Sequence, residues 1–347
     1  MFDKMTERLS SWLTAEGDEA GIVLSSRVRL ARNIKGLQFP PYSEDASREK
    51  VVDFVETALQ KSRELEHGEF LRSELIDELD RSFLIERHLI SPQFMRPESI
   101  SGIFISPDEK VAIMVNEEDH LRIQSMGSGL SLTDTLSRAM RIDDDLARTL
   151  EFDYDTDFGF LTSCPTNVGT GLRASILIHL AGLVLTKEID SVIDHITKLG
   201  LVVRGFYGEG SDVWGNLFQI SNQTTLGRSE SDITEALQKI TRQIIEFENQ
   251  AREQLVSQAH DEISDKIWRA FGILKHARVL TTEEVMNLLS AVRLGIALGV
   301  LEDVKMETVN KMLILSQPAH LQKHVGKVLD PSDRDTARAT LVREMLA

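Results

Sequence analysis

Five short apolar runs in the middle of this 347-residue chain limit its fold more than any other feature. Each has the length of a β-strand, and several are followed by turn-prone or polar residues. The runs cover 102–106, 111–115, 160–163, 201–206 and 217–221. Helices are predicted between them at about 131–150 and 171–187, so the order lacks the regular alternation of a βαβ repeat. We therefore predict an α+β fold with a largely antiparallel sheet flanked by helices.

Helical periodicity marks both ends of the chain. Apolar residues at helical spacing predict a helix over 1–20 and another over 47–65. From Ser229 onward, one apolar stripe steps by three and four residues along a long helix. We predict two domains: a sheet-containing domain over 1–252 and an all-helical domain over 253–347.

Charge and cysteine content limit the classes of function. The net charge of −16 disfavours nucleic acid and anionic membranes as partners. No run of 18 apolar residues is present, and the first twenty residues mix acidic and basic side chains, unlike a secretory signal. Cys164 is the single cysteine, which excludes an intrachain disulfide and makes a cytoplasmic location the default expectation.

Two short motifs match known signatures without their context. Residues 157–159 spell Asp-Phe-Gly, but neither a catalytic loop nor a Gly-rich loop of protein kinases accompanies them. Residues 169–174 match a dinucleotide-binding pattern, but the segment before them is a poor parallel strand. The sequence contains no P-loop pattern and no His/Cys spacing for zinc.

Polar segments next to predicted strands and turns contain the candidates for chemistry. They are 25–29, His88, 116–122, 164–173 and 204–209. Without a P-loop, side chains and Mg²⁺ must meet the charge of a nucleoside triphosphate, and arginine forks match phosphate oxygens well. Arg27 and Arg29 alternate, so on a strand they would share a face. The alternative is that these arginines pair with the many carboxylates.

An acceptor of the guanidinium type would need carboxylates. Its nitrogen is protonated and delocalised at neutral pH, so two fixed carboxylates could hold the planar group and remove a proton in the transition state. Glu117 and Glu118, with Glu209, offer such a pair. The alternative for adjacent glutamates is a solvated surface.

The chain resembles the phosphagen (guanidino) kinases over about 20–250. The matching stretches are 25–33, 116–123, 164–175, 204–209 and 220–222. The resemblance implies the glutamine synthetase-like catalytic fold, with ATP and Mg²⁺ as cofactors and the metal held through the phosphates rather than by protein ligands. It implies an ATP site made of Ser25, Ser26, Arg27, Val28, Arg29, His88, Arg122, Arg173, Ala174, Ser175, Ile176, Leu177, Arg204, Gly205, Phe206, Tyr207, Gly208 and Glu209.

The same resemblance implies three catalytic residues. Glu118 would act as base and aligner, Glu209 would be a second carboxylate on a mobile loop, and Cys164 would be a thiolate beside the guanidinium. Two alternatives remain at this stage. Cys164 could be a buried small apolar residue, and His88 could be a structural histidine rather than a neighbour of the nucleoside.

Two differences from small-molecule guanidino kinases favour a protein substrate. Those kinases have an extra N-terminal helical domain with a specificity loop, whereas 24 residues precede Ser25 here. The overall layout resembles bacterial protein arginine kinases of the McsB type over nearly the full chain. That family has an RDxxRA motif that forms an allosteric phosphoarginine pocket, matched here by Arg334, Asp335, Thr336, Ala337, Arg338 and Ala339. The alternative is a helix face of salt bridges.

The resemblance also implies partners and a role in protein quality control under stress. Expected partners are arginine-bearing protein substrates, an activator protein, a heat-shock repressor and a Clp-type chaperone-protease that would degrade marked proteins. A homodimer or higher homo-oligomer is expected from the apolar stripes of the C-terminal helices. Two other functions stay open: a kinase for free arginine or a related guanidine, and a non-catalytic phosphoarginine-binding adaptor.

Overall fold

The computed structural model describes residues 2–6, 8–94, 99–206 and 213–347. The strands within them are β1 (Val23–Arg32), β2 (Glu69–Arg72), β3 (Gly102–Ile105), β4 (Val111–Val115), β5 (Leu121–Ser128), β6 (Tyr154–Asp155), β7 (Gly159–Phe160), β8 (Leu172–His179), β9 (Leu201–Arg204) and β10 (Leu217–Asn222). The helices are α1 (Phe2–Thr6), α2 (Asp45–Lys61), α3 (Glu78–Glu86), α4 (Leu132–Leu146), α5 (Ala181–Leu185), α6 (Ile189–Lys198), α7 (Glu230–His276), α8 (Thr282–Ala297), α9 (Met306–Leu315), α10 (Pro318–Val325) and α11 (Pro331–Met345).

Eight strands form one antiparallel sheet in the order β2-β3-β4-β5-β1-β8-β10-β9. The remaining strands, β6 and β7, form a small separate hairpin. Strand β1 is near the middle of the sheet, between β5 and β8. The predicted α+β class with an antiparallel sheet and a helical C-terminal region is confirmed.

One strand of the sheet was predicted as a helix, and that prediction is wrong. A helix was predicted over 171–187. Within that segment residues 172–179 form β8, and the only helix is the short α5. Leu172, Ala174, Ile176 and Ile178 repeat every second residue and are fully buried. Pairing with β1 and β10 on both sides satisfies the backbone of β8, so tertiary contacts override the local helical pattern.

The predicted helix over 1–20 is also mostly wrong. Helix α1 ends at Thr6, and among the described residues of 8–20 the only further helical turn is a 3₁₀ turn at Ser11–Leu13. Trp12 and Leu13 are fully buried in an apolar cluster that also contains sheet and C-terminal helix residues. Burying this aromatic side chain between two layers is worth more than continuing a short helix in water.

Apolar faces of α2 and α4 cover one side of the sheet, and both helices agree with the prediction within a few residues. Their inward residues join those of β1, β5 and β8 in the largest apolar cluster. The opposite side of β1, β5 and β8 is polar at its centre. This division leaves one face of the sheet open for a site.

The C-terminal helices share an apolar core with the sheet. Leu24, Met126 and Leu177 from three strands lie in the same cluster as residues of α7, α8, α9 and α11. Helix α7 is 47 residues long and kinks at Ala259, where the backbone leaves helical geometry. The predicted boundary at residue 252 therefore falls inside α7 and remains a prediction.

A buried polar network joins α3 to α10. The carboxylate of Glu86 accepts hydrogen bonds from the backbone N–H groups of Ala319 (2.7 Å) and His320 (2.9 Å), and thereby caps α10. The next residue, Arg87, donates two hydrogen bonds of 2.7 Å to Glu109. Burial raises the pKa of Glu86 to about 8.

Buried ionisable groups predict a stability maximum near pH 6.5. Burial lowers the pKa values of His88, His179 and His320, so only the unfolded chain takes up their protons below about pH 6.5, and stability is lost as the pH falls. Glu86 changes the stability in the opposite direction. Its pKa is raised in the folded protein, so stability is lost as the pH rises toward about 8. We expect thermal unfolding between pH 5 and 8.5 to show losses on both sides of the maximum.

The substitution Glu86→Gln separates the two contributions. Glutamine retains an oxygen that can accept a hydrogen bond from the α10 backbone. The variant should therefore still lose stability at low pH, but it should lose much less stability at high pH than the wild type does. If the variant lost as much stability at high pH as the wild type, that loss could not be assigned to Glu86.

Candidate active site

Strand register places five arginines on one face of the sheet. Arg27 and Arg29 alternate along β1, and Arg173 of β8 stands directly opposite Arg29. Pairing of β1 with β5 puts Arg122 on the same face, and pairing through β10 does so for Arg204 of β9. All five line one cavity of about 950 Å³.

These guanidinium groups repel one another. Burial, followed by the charges of Arg122, Arg173 and Arg204, lowers the pKa of Arg27 to about 10. Burial and the neighbouring arginines also lower the pKa of Arg29 well below its usual value. The Nε of Arg29 is buried and has no hydrogen-bond partner among the described residues. A polyanion entering this cavity would relieve the repulsion and find donors already in place.

Two carboxylates at the turn after β4 enter the same cavity in different ways. Glu117 is largely engaged: its carboxylate is 2.5 Å from Arg122 and accepts a hydrogen bond from the Ser91 hydroxyl. Glu118 is 3.5 Å from Arg122, and its side chain is 40% exposed. Glu118 is therefore the carboxylate that is better placed to meet an incoming cationic group.

Cys164 lies across the same cavity on the loop that precedes a 3₁₀ turn at Pro165–Asn167. Its side chain is half-buried, and its Sγ is 3.0 Å from the Thr166 hydroxyl. The structure therefore brings Cys164 and Glu118 to one cavity and does not place Cys164 in an apolar core.

His88 contributes an aromatic edge to the cavity. Its backbone has a φ of 58°, and its ring lies edge-on to Trp12 (5.2 Å between centroids) and Phe206 (4.8 Å). Burial and the charge of Arg27 lower its pKa to about 3, so the imidazole is neutral at physiological pH. A neutral ring packed between aromatic residues could contact a base but could not serve as a cation.

A second, much smaller cavity adjoins the first beside His88. It measures about 10 Å³, and Ser25, Ser175, Leu177 and Phe206 contribute to its lining. All of these belong to the predicted ATP site, and the same strand face orients the first three.

Other predicted nucleotide residues face away from the cavity. Ser26, Val28, Ala174 and Ile176 lie on the opposite face of the sheet with almost no exposure, because side chains alternate along a strand. The Ser26 hydroxyl donates to the Gly129 carbonyl, a contact that joins β1 to the residue after β5. The structure does not bring these four side chains to the site.

The loop after β9 is only partly described. Gly205 is buried next to Phe206 at the end of that strand. Tyr207, Gly208 and Glu209 lie outside the described residues, so the predicted second carboxylate has no observed position.

Sequence reasoning missed some contributors to this site, among them Gln219 and Trp12. The Gln219 amide oxygen accepts a 2.8 Å hydrogen bond from Arg27 and so orients that guanidinium. The alternation within β10 could have revealed Gln219, since it shares a face with Arg204. Trp12, which packs beside His88, could not be found in this way, because residues 1–20 were predicted to form a helix and not a strand.

The RDxxRA-like segment occupies α11, and its arginines differ. Arg338 is buried and donates to the carbonyls of Ser316 (2.7 Å) and Leu280 (2.8 Å) and to Asp335 (2.5 Å). Arg334 is half-buried one turn earlier. Of the other motif residues, Thr336 is exposed and Ala337 half-buried. Ala339 is buried. Arg338 thus holds helix ends together, and the phosphoarginine pocket remains a prediction.

Neither a metal-binding cluster nor a membrane-spanning segment is found in the part of the chain that the structure describes. No three His, Cys, Asp or Glu side chains are arranged to hold a metal ion there. None of the described helices has the length and apolar content needed to cross a bilayer.

Two family models match the chain. ATP:guanido phosphotransferase, C-terminal catalytic domain, matches residues 50–251, and Protein-arginine kinase McsB C-terminal domain matches residues 260–347. The lombricine kinase structure superimposes with a TM-score of 0.61 and 27% identity over 70% of each chain. The duplicated taurocyamine kinase of Schistosoma mansoni gives a TM-score of 0.62 and 26% identity over 70% of this chain and 35% of that one. The chain therefore belongs to the ATP:guanido phosphotransferase family.

Within this family, the full-length similarity is to protein-arginine kinases. The Geobacillus sp. (strain WCH70) protein of that name is 44% identical over 97% of this chain and 94% of its own length. The Bacillus cereus (strain G9842) protein is 44% identical over 99% of this chain and 97% of its own. Both resemblances recognised in the sequence, to guanidino kinases and to the McsB type, are confirmed.

Proposed function

We propose that this protein transfers the γ-phosphoryl group of ATP to the guanidino group of arginine residues in other proteins. The observation that carries the proposal is the single cavity that holds five arginines on one wall and Glu118 and Cys164 beside them. A polyanionic donor and a cationic acceptor could therefore meet there.

The arginine wall would hold the nucleotide. Arg27, Arg29, Arg122, Arg173 and Arg204 would bind the phosphates, and their mutual repulsion supports this role because an anion would remove it. Mg²⁺ would arrive on the phosphates and neutralise charge as the phosphoryl group moves. His88 and the aromatic rings beside it would contact the nucleoside.

The acceptor would be aligned by the opposite groups. Glu118 would bind the guanidinium and take the proton that its attacking nitrogen loses, while Cys164 would contact the same planar group from the other side. The bond between the γ-phosphorus and the bridging oxygen breaks, a phosphorus–nitrogen bond forms, and ADP leaves. Glu209 is proposed as a second carboxylate by resemblance alone.

The relatives' name supports arginine within proteins as the acceptor, because similarity to protein-arginine kinases covers both the catalytic region and the C-terminal helices. The finer roles rest on family resemblance. They comprise a cytoplasmic location, homo-oligomerisation, an activator, a heat-shock repressor, delivery of marked proteins to a Clp-type protease, and regulation by phosphoarginine at 334–339. The division into domains at residue 252 is proposed on the same basis.

An acid-lability assay tests the proposal against its alternatives. The protein is incubated with γ-labelled ATP and either free arginine or an unfolded arginine-rich protein. We expect acid-labile label on the protein substrate. Label mainly on free arginine would indicate a small-molecule kinase, as the lombricine and taurocyamine kinase similarities would suggest. Binding of phosphoarginine without any transfer would indicate an adaptor.

A further inference from the structure

Asn33 occupies a junction between three segments of the site. It directly follows β1, the strand that carries Arg27 and Arg29, and its side chain is 1% exposed. Its amide nitrogen donates to the Asp119 carboxylate (2.7 Å) and to the Leu161 carbonyl (3.1 Å). Its amide oxygen accepts from the backbone N–H of His120 (2.9 Å). Both ends of this buried amide are therefore used.

Asp119 extends the junction to the two proposed catalytic groups. It is buried, and the oxygen that accepts from Asn33 also accepts from the backbone N–H of Ser163 at 2.6 Å. Asp119 directly follows Glu118, and Ser163 directly precedes Cys164. One carboxylate oxygen thus ties the turn bearing Glu118 to the loop bearing Cys164.

We propose that Asn33 is a positioning residue that sets the separation of Glu118 and Cys164 by clamping Asp119. This inference rests on the proposed function. Asn33 lies outside the phosphate-facing wall and does not line the cavity, so it acts only through its hydrogen bonds. The turn bearing Glu118 and the loop bearing Cys164 both lie between strands and outside the eight-stranded sheet. Strand pairing alone therefore does not fix the distance between them.

The chemistry makes this spacing important. Phosphoryl transfer depends on alignment of the acceptor, and a displacement of about 1 Å can cost about 100-fold in rate. The arginine wall is held independently, because β1 pairs with β5 and β8 on both sides up to Arg32 and Leu30. Loss of the clamp should therefore affect turnover more than nucleotide binding.

The variant Asn33→Ala tests the clamp in the full-length protein. We expect kcat on a protein substrate to fall by about 10- to 100-fold and the KM for ATP to stay within about twofold. Alkylation by iodoacetamide gives a readout that does not need activity, because Cys164 is the only cysteine. Its rate in the folded variant should change by at least about threefold, since thiol reactivity follows the local environment.

Asn310 provides a matched control. It is also 1% exposed and bridges Arg293 and the Leu13 carbonyl, far along the chain in α9. Asn310→Ala should lower the Tm, with kcat of the folded protein and Cys164 alkylation unchanged. If Asn33→Ala behaves like this control, Asn33 is only structural and the inference is overturned.

A double-mutant cycle tests the route through Asp119. If Asn33 acts by holding Asp119, the pair Asn33→Ala and Asp119→Ala should lose little more than the worse single variant. Additive losses would overturn the inference. If Asn33→Ala does not fold, Asn33→Ser takes its place, with the same expected direction. A wild-type protein without transferase activity would refute the proposed function, while the alkylation series would still decide whether Asn33 holds the Cys164 loop.

Discussion

Glu118→Gln should abolish phosphoryl transfer while leaving ATP binding close to normal. Glutamine preserves the size and polarity of the side chain, but it cannot accept the proton that the guanidinium loses. General-base contributions are typically about 10²- to 10⁴-fold, so we expect a loss of at least about 100-fold in kcat. The dissociation constant for ATP, measured by calorimetry, should change little, because all five arginines remain and Glu117, at 2.5 Å, still pairs with Arg122.

Glu151→Gln is a suitable control for this experiment. Glu151 is 74% exposed, pairs with Lys35 and does not line the cavity. It should retain wild-type kcat and wild-type ATP affinity. Full turnover by Glu118→Gln would remove Glu118 from the proposed base role, and loss of ATP binding would show that its charge organises the arginine wall instead.

Arg29→Met should make the protein more stable and weaken its binding of ATP. Arg29 is half-buried among like charges that lower its pKa, so an apolar side chain relieves both desolvation and repulsion in the free protein. The same change removes a fork that would pair with phosphate, at a cost of about 10- to 100-fold in affinity. Thermal unfolding should therefore show a higher Tm, while calorimetry should show a higher dissociation constant for ATP.

The same strand offers a matched arginine with the opposite expectation. Arg32 is fully buried, and it forms a bidentate pair with Asp143 at 2.6–3.1 Å. Arg32→Met leaves that carboxylate buried without its cation and should destabilise the fold by about 3–5 kcal/mol. Equal loss of stability in both variants would contradict the view that the Arg29 charge awaits an anion.

Much of the site could be predicted because it is built on strand alternation. Once Arg27 and Arg29 lie on a strand, a period of two puts them on one face, and pairing adds Arg122, Arg173 and Arg204. The same rule explains an error in the predicted nucleotide set. A contiguous motif such as 173–177 contributes only every second side chain to the site, while the others enter the core.

Features that depend on tertiary contacts could not be predicted. Residues 172–179 have both a helical and an alternating apolar pattern, and their pairing with β1 and β10 makes them β8. Asn33 is far from Asp119 along the chain, so no spacing in the sequence indicated their hydrogen bond. Likewise, nothing in the motif at 334–339 indicated that Arg338 would bond to the carbonyls of Ser316 and Leu280.

The apolar core shared by the sheet and the C-terminal helices has a consequence for amino-acid substitutions far from the cavity. Helix α7, kinked at Ala259, runs from the catalytic region into the C-terminal helical region, and one apolar cluster contains residues of both. Such a chain should melt in a single calorimetric transition rather than in two. Substitutions in the last eighty or so residues would then reduce the amount of working enzyme through the folded fraction, even where they leave every group at the cavity in place.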